Sequence, residues 1–131
     1  DIFAKIITKN DIDKVIAQYH QQGLLNEYQL QEITRDINEV VNHSKLIDYF
    51  SDEVIIYNER EIVAIDNQII IPDRLVFIDD KVVIIDYKTG NQSKEHHQQL
   101  LKYERVLQSM NFNVANKLLI YINDKIDVIE V

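Results

Sequence analysis

A chain of 131 residues is long enough for one core, and 46% hydrophobic with 27% charged residues is ordinary for a globular fold. The absence of cysteine excludes disulfides and Cys-ligated zinc and suits a cytoplasmic protein, and no apolar run approaches the length of about 18 residues that a membrane span needs. The net charge of −8 argues against general nucleic-acid binding, but residues 1–80 carry 16 acidic and 7 basic side chains whereas residues 81–131 carry 6 and 7.

The N-terminus lacks the charged, apolar and cleavage regions of a signal peptide. Asn10 reads as an N-cap with Asp13 three residues on, and Gly23 as a stop, which predicts a helix over 11–22 with Ile12, Val15, Ile16 and Tyr19 on one face. Asn26 caps a second helix over 27–42, with Leu30, Ile33, Ile37, Val40 and Val41 as its apolar stripe. A short third helix is expected over 44–50. His20 and His43 read as solvated residues near helix ends.

After Phe50 the pattern switches from helix to strand. Glu53–Tyr57 and Arg60–Ile65 are rich in Val and Ile, and Asp66-Asn67-Gln68 reads as a loop leading to Ile69-Ile70-Ile71. A three-residue loop would set Glu61 level with Asp73; Glu59 shares its parity two residues earlier. Pro72–Phe77 and Val82–Lys88 then flank Asp79-Asp80, the tight turn of a hairpin. A two-residue turn pairs Ile78 with Lys81, Leu75 with Ile84 and Asp73 with Asp86, and opposed residues hold their Cβ atoms about 5 Å apart on one face. Lys88, two residues past Asp86, leaves the strand on that same face.

A helix from Glu95 to about Met110 follows, burying Leu100, Leu101, Val106 and Leu107, with Gln99 and Tyr103 four apart on one face. That pair alone would read as a core tyrosine with a polar neighbour; its place directly after the Lys88 strand suggests a functional role. His96 and His97 could meet phosphate at the helix start, but adjacent residues point apart, so they make a poor metal pair and read as solvated. Lys117–Ile122, the turn Asn123-Asp124 and Ile126–Val131 form a closing hairpin.

Asp73, Asp86 and Lys88 thus converge at the open end of an otherwise apolar hairpin. Two opposed carboxylates repel unless one is protonated or a cation sits between them, and oxygen ligands of this kind suit Mg²⁺ or Mn²⁺. A lysine beside such an ion can orient a water or steady charge on a phosphate. The plainer alternative is a structural Asp–Lys pair.

Pro72-Asp73, followed after twelve intervening residues by Asp86-Tyr87-Lys88, resembles the PD-(D/E)xK nuclease signature. The longer string Pro-Asp-Arg-Leu … Ile-Ile-Asp-Tyr-Lys-Thr-Gly, with Gln99-Leu100-Leu101-Lys102-Tyr103 on the next helix, is similar to the RecB/AddB-type nuclease domain at the C-terminus of UvrD-like helicase–nucleases. The resemblance implies an α/β (α+β) fold: a three-layer, restriction-endonuclease-like αβββαβ core with a mixed central sheet and extra N-terminal helices. It implies a single nuclease domain over residues 1–131, read as the C-terminal piece of a longer helicase–nuclease. It also implies an exonuclease acting on DNA, with single-stranded ends as substrate and a UvrD-like helicase as partner.

Carried onto this chain, the resemblance assigns Asp73, Asp86, Lys88, Gln99 and Tyr103 as catalytic. Asp73, Asp86, the Tyr87 carbonyl and a further acid, Glu61 in preference to Glu59, would hold Mg²⁺ or Mn²⁺. The family's upstream histidine falls before Asp1, and Ile2–Ile6 reads as the tail of its helix. A catalytically silent DNA-binding or interaction module that keeps the nuclease fold is the alternative.

Overall fold

The structure, a computed structural model, describes residues 2–131. The chain divides into two compact units, one up to Glu53 and one from Val54 to Val131.

The first unit is helical. A 3-10 turn (Ile2–Lys5) and a second one (Lys9–Asp11) lead into α1 (Ile12–Gln21). The cap of this region is Thr8, not Asn10: Thr8 Oγ1 accepts from Asn10 N at 3.2 Å, while Asp11 Oδ2 accepts from Thr8 N at 2.9 Å. The 3-10 turn moves the helix start upstream, and the Asn10 amide instead donates to Asp52 at 3.2 Å. Gly23 stops the helix with φ +68, a conformation glycine adopts without a Cβ clash. α2 (Glu27–Asn42) begins with a reciprocal capping box, Gln29 N to Asn26 Oδ1 at 2.8 Å and Asn26 N to Gln29 Oε1 at 3.1 Å. Ile37, Val40 and Val41 of its apolar stripe are fully buried. Where a helix over 44–50 was expected, a turn and a 3-10 helix (Ile47–Phe50) form.

The second unit is built on a five-stranded mixed sheet. β1 (Ile55–Asn58) is followed by a two-stranded ribbon of β2 (Ile62–Val63) and β3 (Ile69–Ile70), then by β4 (Arg74–Ile78) and β5 (Lys81–Lys88). α3 (Lys94–Ser109) crosses to β6 (Asn113–Ile122), and β7 (Ile126–Glu130) closes the sheet. The order is β1-β4-β5-β6-β7, antiparallel except for the parallel β5–β6 pair that α3 connects. Elements α2, β1, β4, β5, α3 and β6 run in the expected αβββαβ succession. This is a mixed α+β architecture consistent with a restriction-endonuclease-like fold.

The β4–β5 hairpin has the expected register, with Ile78 opposite Lys81 and Leu75 opposite Ile84. Asp79 takes φ +55 at the turn, which aspartate tolerates better than most side chains. Alternation sends Leu75, Val82 and Ile84 to one face, where they pack with Leu100, Tyr103, Val106 and Leu107 of α3 and with Leu119 and Tyr121 of β6. Val76, Val83, Ile85, Leu118 and Ile120, on the other face, are buried as well. A strand buried on both faces reads as a continuous apolar run, as β5 does.

The loop between β2 and β3 departs from expectation. Ile62 pairs with Ile70 and Val63 with Ile69, so five residues rather than three connect the strands. Asp66 Oδ1 accepts from Gln68 N at 3.1 Å, Asn67 takes φ +66, and Ala64 N donates to Gln68 O at 2.8 Å, a side-chain-stabilised turn that absorbs the extra residues. This register carries Glu61 level with Ile71 instead of Asp73. Glu59 is the acid beside Asp73: its backbone N–H donates to Asp73 O at 3.0 Å, with Glu59 at φ +48.

Past the end of β5, Gly90 (φ +80) is held on both sides by one side chain. Asn123, in the β6–β7 turn, accepts from Gly90 N at 2.9 Å and donates to Gly90 O at 3.0 Å.

Candidate active site

The regular β4–β5 pairing ends at Arg74 opposite Ile85, and beyond it two aspartates continue the ladder with their side chains. Asp73 N donates to Asp86 Oδ1 at 3.1 Å, and Tyr87 N donates to Asp73 Oδ2 at 2.9 Å. Each carboxylate therefore spends one oxygen on the opposite strand's backbone. Lys88 Nζ lies 3.0 Å from Asp86 Oδ2 and donates to Gln99 Oε1 at 2.7 Å. Gln99 Nε2 in turn donates to the Tyr103 hydroxyl at 2.8 Å. Sheet and helix are thus joined by one hydrogen-bonded chain running Asp73, Asp86, Lys88, Gln99, Tyr103.

The electrostatics follow from burial. Asp86 is 2% exposed. Burial, and next the charge of Asp86, push the Asp73 carboxyl up to about 6, against the opposing pull of the Tyr87 N–H and Lys88. Burial and then the charges of Asp86 and Asp73 push the Tyr103 phenol up to about 12, so it remains a protonated donor at neutral pH.

Tyr87 turns its ring to the opposite face, where its hydroxyl is buried beside Arg74, and burial raises its phenol above the ordinary range. Arg74 is itself fully buried, with one guanidinium nitrogen 3.5 Å from Asn58 Oδ1. The motif string includes Arg74, but sequence reasoning missed that it is buried as an underpinning of the Asp73 strand.

The structure brings together Asp73, Asp86, Lys88, Gln99 and Tyr103, together with the Tyr87 backbone, but not Glu61. That residue is exposed at a cavity lined by Tyr57, Arg60 and Phe77. Among the described residues, no group of three or more His, Cys, Asp and Glu side chains is assembled to hold a metal.

The model of the PD-(D/E)XK nuclease superfamily matches residues 27–127. The chain belongs to this superfamily. No curated protein matches the chain. Among solved structures, the crystal structure of SSO0001 is similar, with 21% identity and a TM-score of 0.40 over 98% of this chain and 65% of that one. The chain thus spans about two thirds of the length of that structure.

PD-(D/E)XK nucleases typically use divalent metals. The donor set here fits such an ion. Asp73 and Asp86 each keep one carboxylate oxygen clear of the backbone, and the raised Asp73 carboxyl records first its burial and then a repulsion from Asp86, both of which a cation would offset. Two carboxylates with the remaining positions left to water suit Mg²⁺ or Mn²⁺ rather than an all-protein cage.

That repulsion gives a stability prediction. An aspartate whose folded pKa is raised disfavours the folded state once it ionises. The penalty is complete above about pH 6, fades as pH falls and the folded form takes up its proton first, and vanishes below the ordinary value near 4. In EDTA at pH 8, Asp73→Asn is expected to raise Tm by about 4 °C, the response to roughly 1 kcal/mol after discounting for solvent screening. The gain should shrink toward zero between pH 6 and 4 in thermal melts. A pH-independent difference would remove the charge explanation.

Proposed function

We propose that this chain is a metal-dependent deoxyribonuclease domain of the exonuclease type, processing DNA ends, single-stranded ones in particular. What supports the reading above all is the continuous chain of hydrogen bonds from the paired aspartates through Lys88 to Gln99 and Tyr103. The chemistry a divalent ion supplies at such a site is polarisation of the scissile phosphate and acidification of a water.

The protein's own groups have separable tasks. Asp73 and Asp86 are the ligand carboxylates, fixed in orientation because each accepts a backbone N–H. The Tyr87 carbonyl is a further candidate ligand, and Glu59 or Glu61 an additional acid; the register favours Glu59. Lys88, held between Asp86 and Gln99, directs a remaining N–H at a non-bridging phosphate oxygen or at the attacking water. The water oxygen gives up a proton to bulk solvent as it bonds to phosphorus, the bond to one sugar oxygen breaks, and that oxygen takes up a proton in turn. Gln99 keeps Lys88 aimed, and Tyr103, its proton retained, anchors Gln99.

By resemblance to RecB/AddB-type domains, the activity belongs to recombinational DNA repair in the cytoplasm, coupled to a UvrD-like helicase on the same or a partner chain. Residues 1–131 then form one nuclease domain of that longer assembly. A catalytically silent DNA-binding or interaction module is the second reading, and the net charge of −8, which opposes phosphate, favours its protein-interaction form.

The experiment is degradation of linear and circular single-stranded DNA with Mg²⁺ or Mn²⁺, and with EDTA. Loss of the linear DNA, stopped by EDTA and sparing the circle, is the expected result. Cleavage that continues in EDTA would overturn metal dependence, and a cut circle would overturn the exonuclease assignment. DNA binding without cleavage would favour the silent module.

A further inference from the structure

We propose that His96, its ring fixed by Tyr121, is a phosphate-binding residue that holds the DNA strand beside Lys88, an inference that rests on the nuclease reading above.

His96 stands in the first turn of α3, and His96, Gln99 and Tyr103 follow at intervals of three and four, which sets them in one row along the helix. Gln99 in that row meets Lys88. On the sheet side, the parallel pairing puts Tyr121 of β6 directly beside Lys88 of β5. Tyr121 is 2% exposed, and its hydroxyl lies 2.7 Å from His96 Nδ1. The two rings are 5.7 Å apart, tilted at 43°. His97 diverges from this row and lines an open cavity with Gln92, Ser93, Lys94 and Gln98. Of the two histidines that the sequence suggested were solvated, one is anchored at the site.

The bond sets the chemistry of the ring as well as its orientation. The 2.7 Å contact lets the buried phenol donate to Nδ1, and in that arrangement a neutral imidazole carries its hydrogen on Nε2. The far edge of this half-buried ring is then an N–H donor held at the carboxyl ends of two parallel strands, where open α/β sheets take their ligands. A donor of this kind suits an anionic oxygen and rejects a cation, because neither ring nitrogen has a lone pair to offer. The ligand class is therefore a phosphodiester of the strand lying against Lys88. Tyr121 is a positioning residue that acts through His96.

The test is binding of a fluorescent single-stranded oligonucleotide in EDTA, read by anisotropy, so that it does not depend on cleavage. His96→Ala is expected to raise Kd about five- to tenfold, the worth of one hydrogen bond to a charged acceptor. Tyr121→Phe, which keeps the ring in the core, should raise it a few-fold by releasing the imidazole, and the double variant should bind no more weakly than His96→Ala alone.

Oligonucleotides carrying a single neutral methylphosphonate then locate the contact. One linkage should weaken wild-type binding and have no further effect on His96→Ala, a coincidence that a merely structural residue would not produce. Equal affinities of wild type and His96→Ala, or methylphosphonate scans that superimpose, would overturn the proposal. If wild type binds DNA but cuts none, the nuclease reading fails while the binding comparison still decides the role of His96. If wild type binds no DNA in EDTA yet cuts it with Mg²⁺, the His96 proposal fails and the nuclease reading stands.

Discussion

Asp86→Asn protein is expected to cut linear single-stranded DNA about a thousandfold more slowly than wild type and to lose its thermal stabilisation by Mn²⁺. Asp86 is the most deeply placed acid of the site at 2% exposed, and both its oxygens are committed, Oδ1 to the Asp73 N–H and Oδ2 to Lys88. Asparagine keeps an acceptor for the Asp73 N–H, so the end of the hairpin survives. It presents a neutral amide to Lys88 and removes half of the anionic charge on which a divalent ion depends. Wild type at a hundredfold excess of metal over Kd should gain about 2.7 kcal/mol, which melts with and without Mn²⁺ would register as a clear upward shift. The variant should show none. Cleavage at the wild-type rate would remove Asp86, and with it the whole assignment of the aspartate pair.

Lys88→Met is expected to behave differently. Cleavage should fall by about two to three orders of magnitude, the usual consequence of removing one preorganised electrostatic group from a reacting centre. Metal binding should survive, because methionine fills the same volume and both carboxylates remain. In EDTA the variant should melt lower than wild type by the equivalent of about 3 kcal/mol, since Asp86 is left as a buried charge without its cation. Added Mn²⁺ should recover more stability in the variant than in wild type by taking over that neutralisation. Single-turnover rates and paired melts separate the two aspects. A variant that loses Mn²⁺ binding together with cleavage would make Lys88 a structural partner of Asp86.

The parts of this molecule that were legible in the sequence are those fixed by local chemistry. The β4–β5 register could be read because a one-residue slip would turn every Val and Ile to the wrong face, and Asp79-Asp80 leaves little choice of turn. That register alone opposes Asp73 to Asp86. The start of α2 is readable from Asn26, whose capping box with Gln29 forms as the residue types require.

Strands two residues long, such as β2 and β3, have no alternation from which to read their loop length; the five-residue loop carries Glu61 level with Ile71, and the β1–β4 pairing puts Glu59 beside Asp73. The start of β6 was missed because Asn113-Val114-Ala115-Asn116 is half polar; it becomes a strand by pairing with β5 through an irregularity at Val82/Val83. The contact of His96 with Tyr121 spans 25 residues and depends on the parallel register of β5 and β6, which no local pattern encodes. No local pattern shows that Arg74, a charged residue within an apolar strand, is fully buried, next to Asn58 and the Tyr87 hydroxyl on separate strands.

Asn123 grips Gly90 by both its peptide groups across 33 residues of sequence. The segment that carries the chain away from Lys88 is consequently riveted to the tip of the terminal hairpin, and the two cannot breathe independently. Amide exchange at Gly90 should therefore keep pace with the opening of β6 and β7 rather than with the looser motion of a surface connection. Cutting the rivet with Asn123→Ala should speed that exchange while leaving the strands' own exchange rates in place.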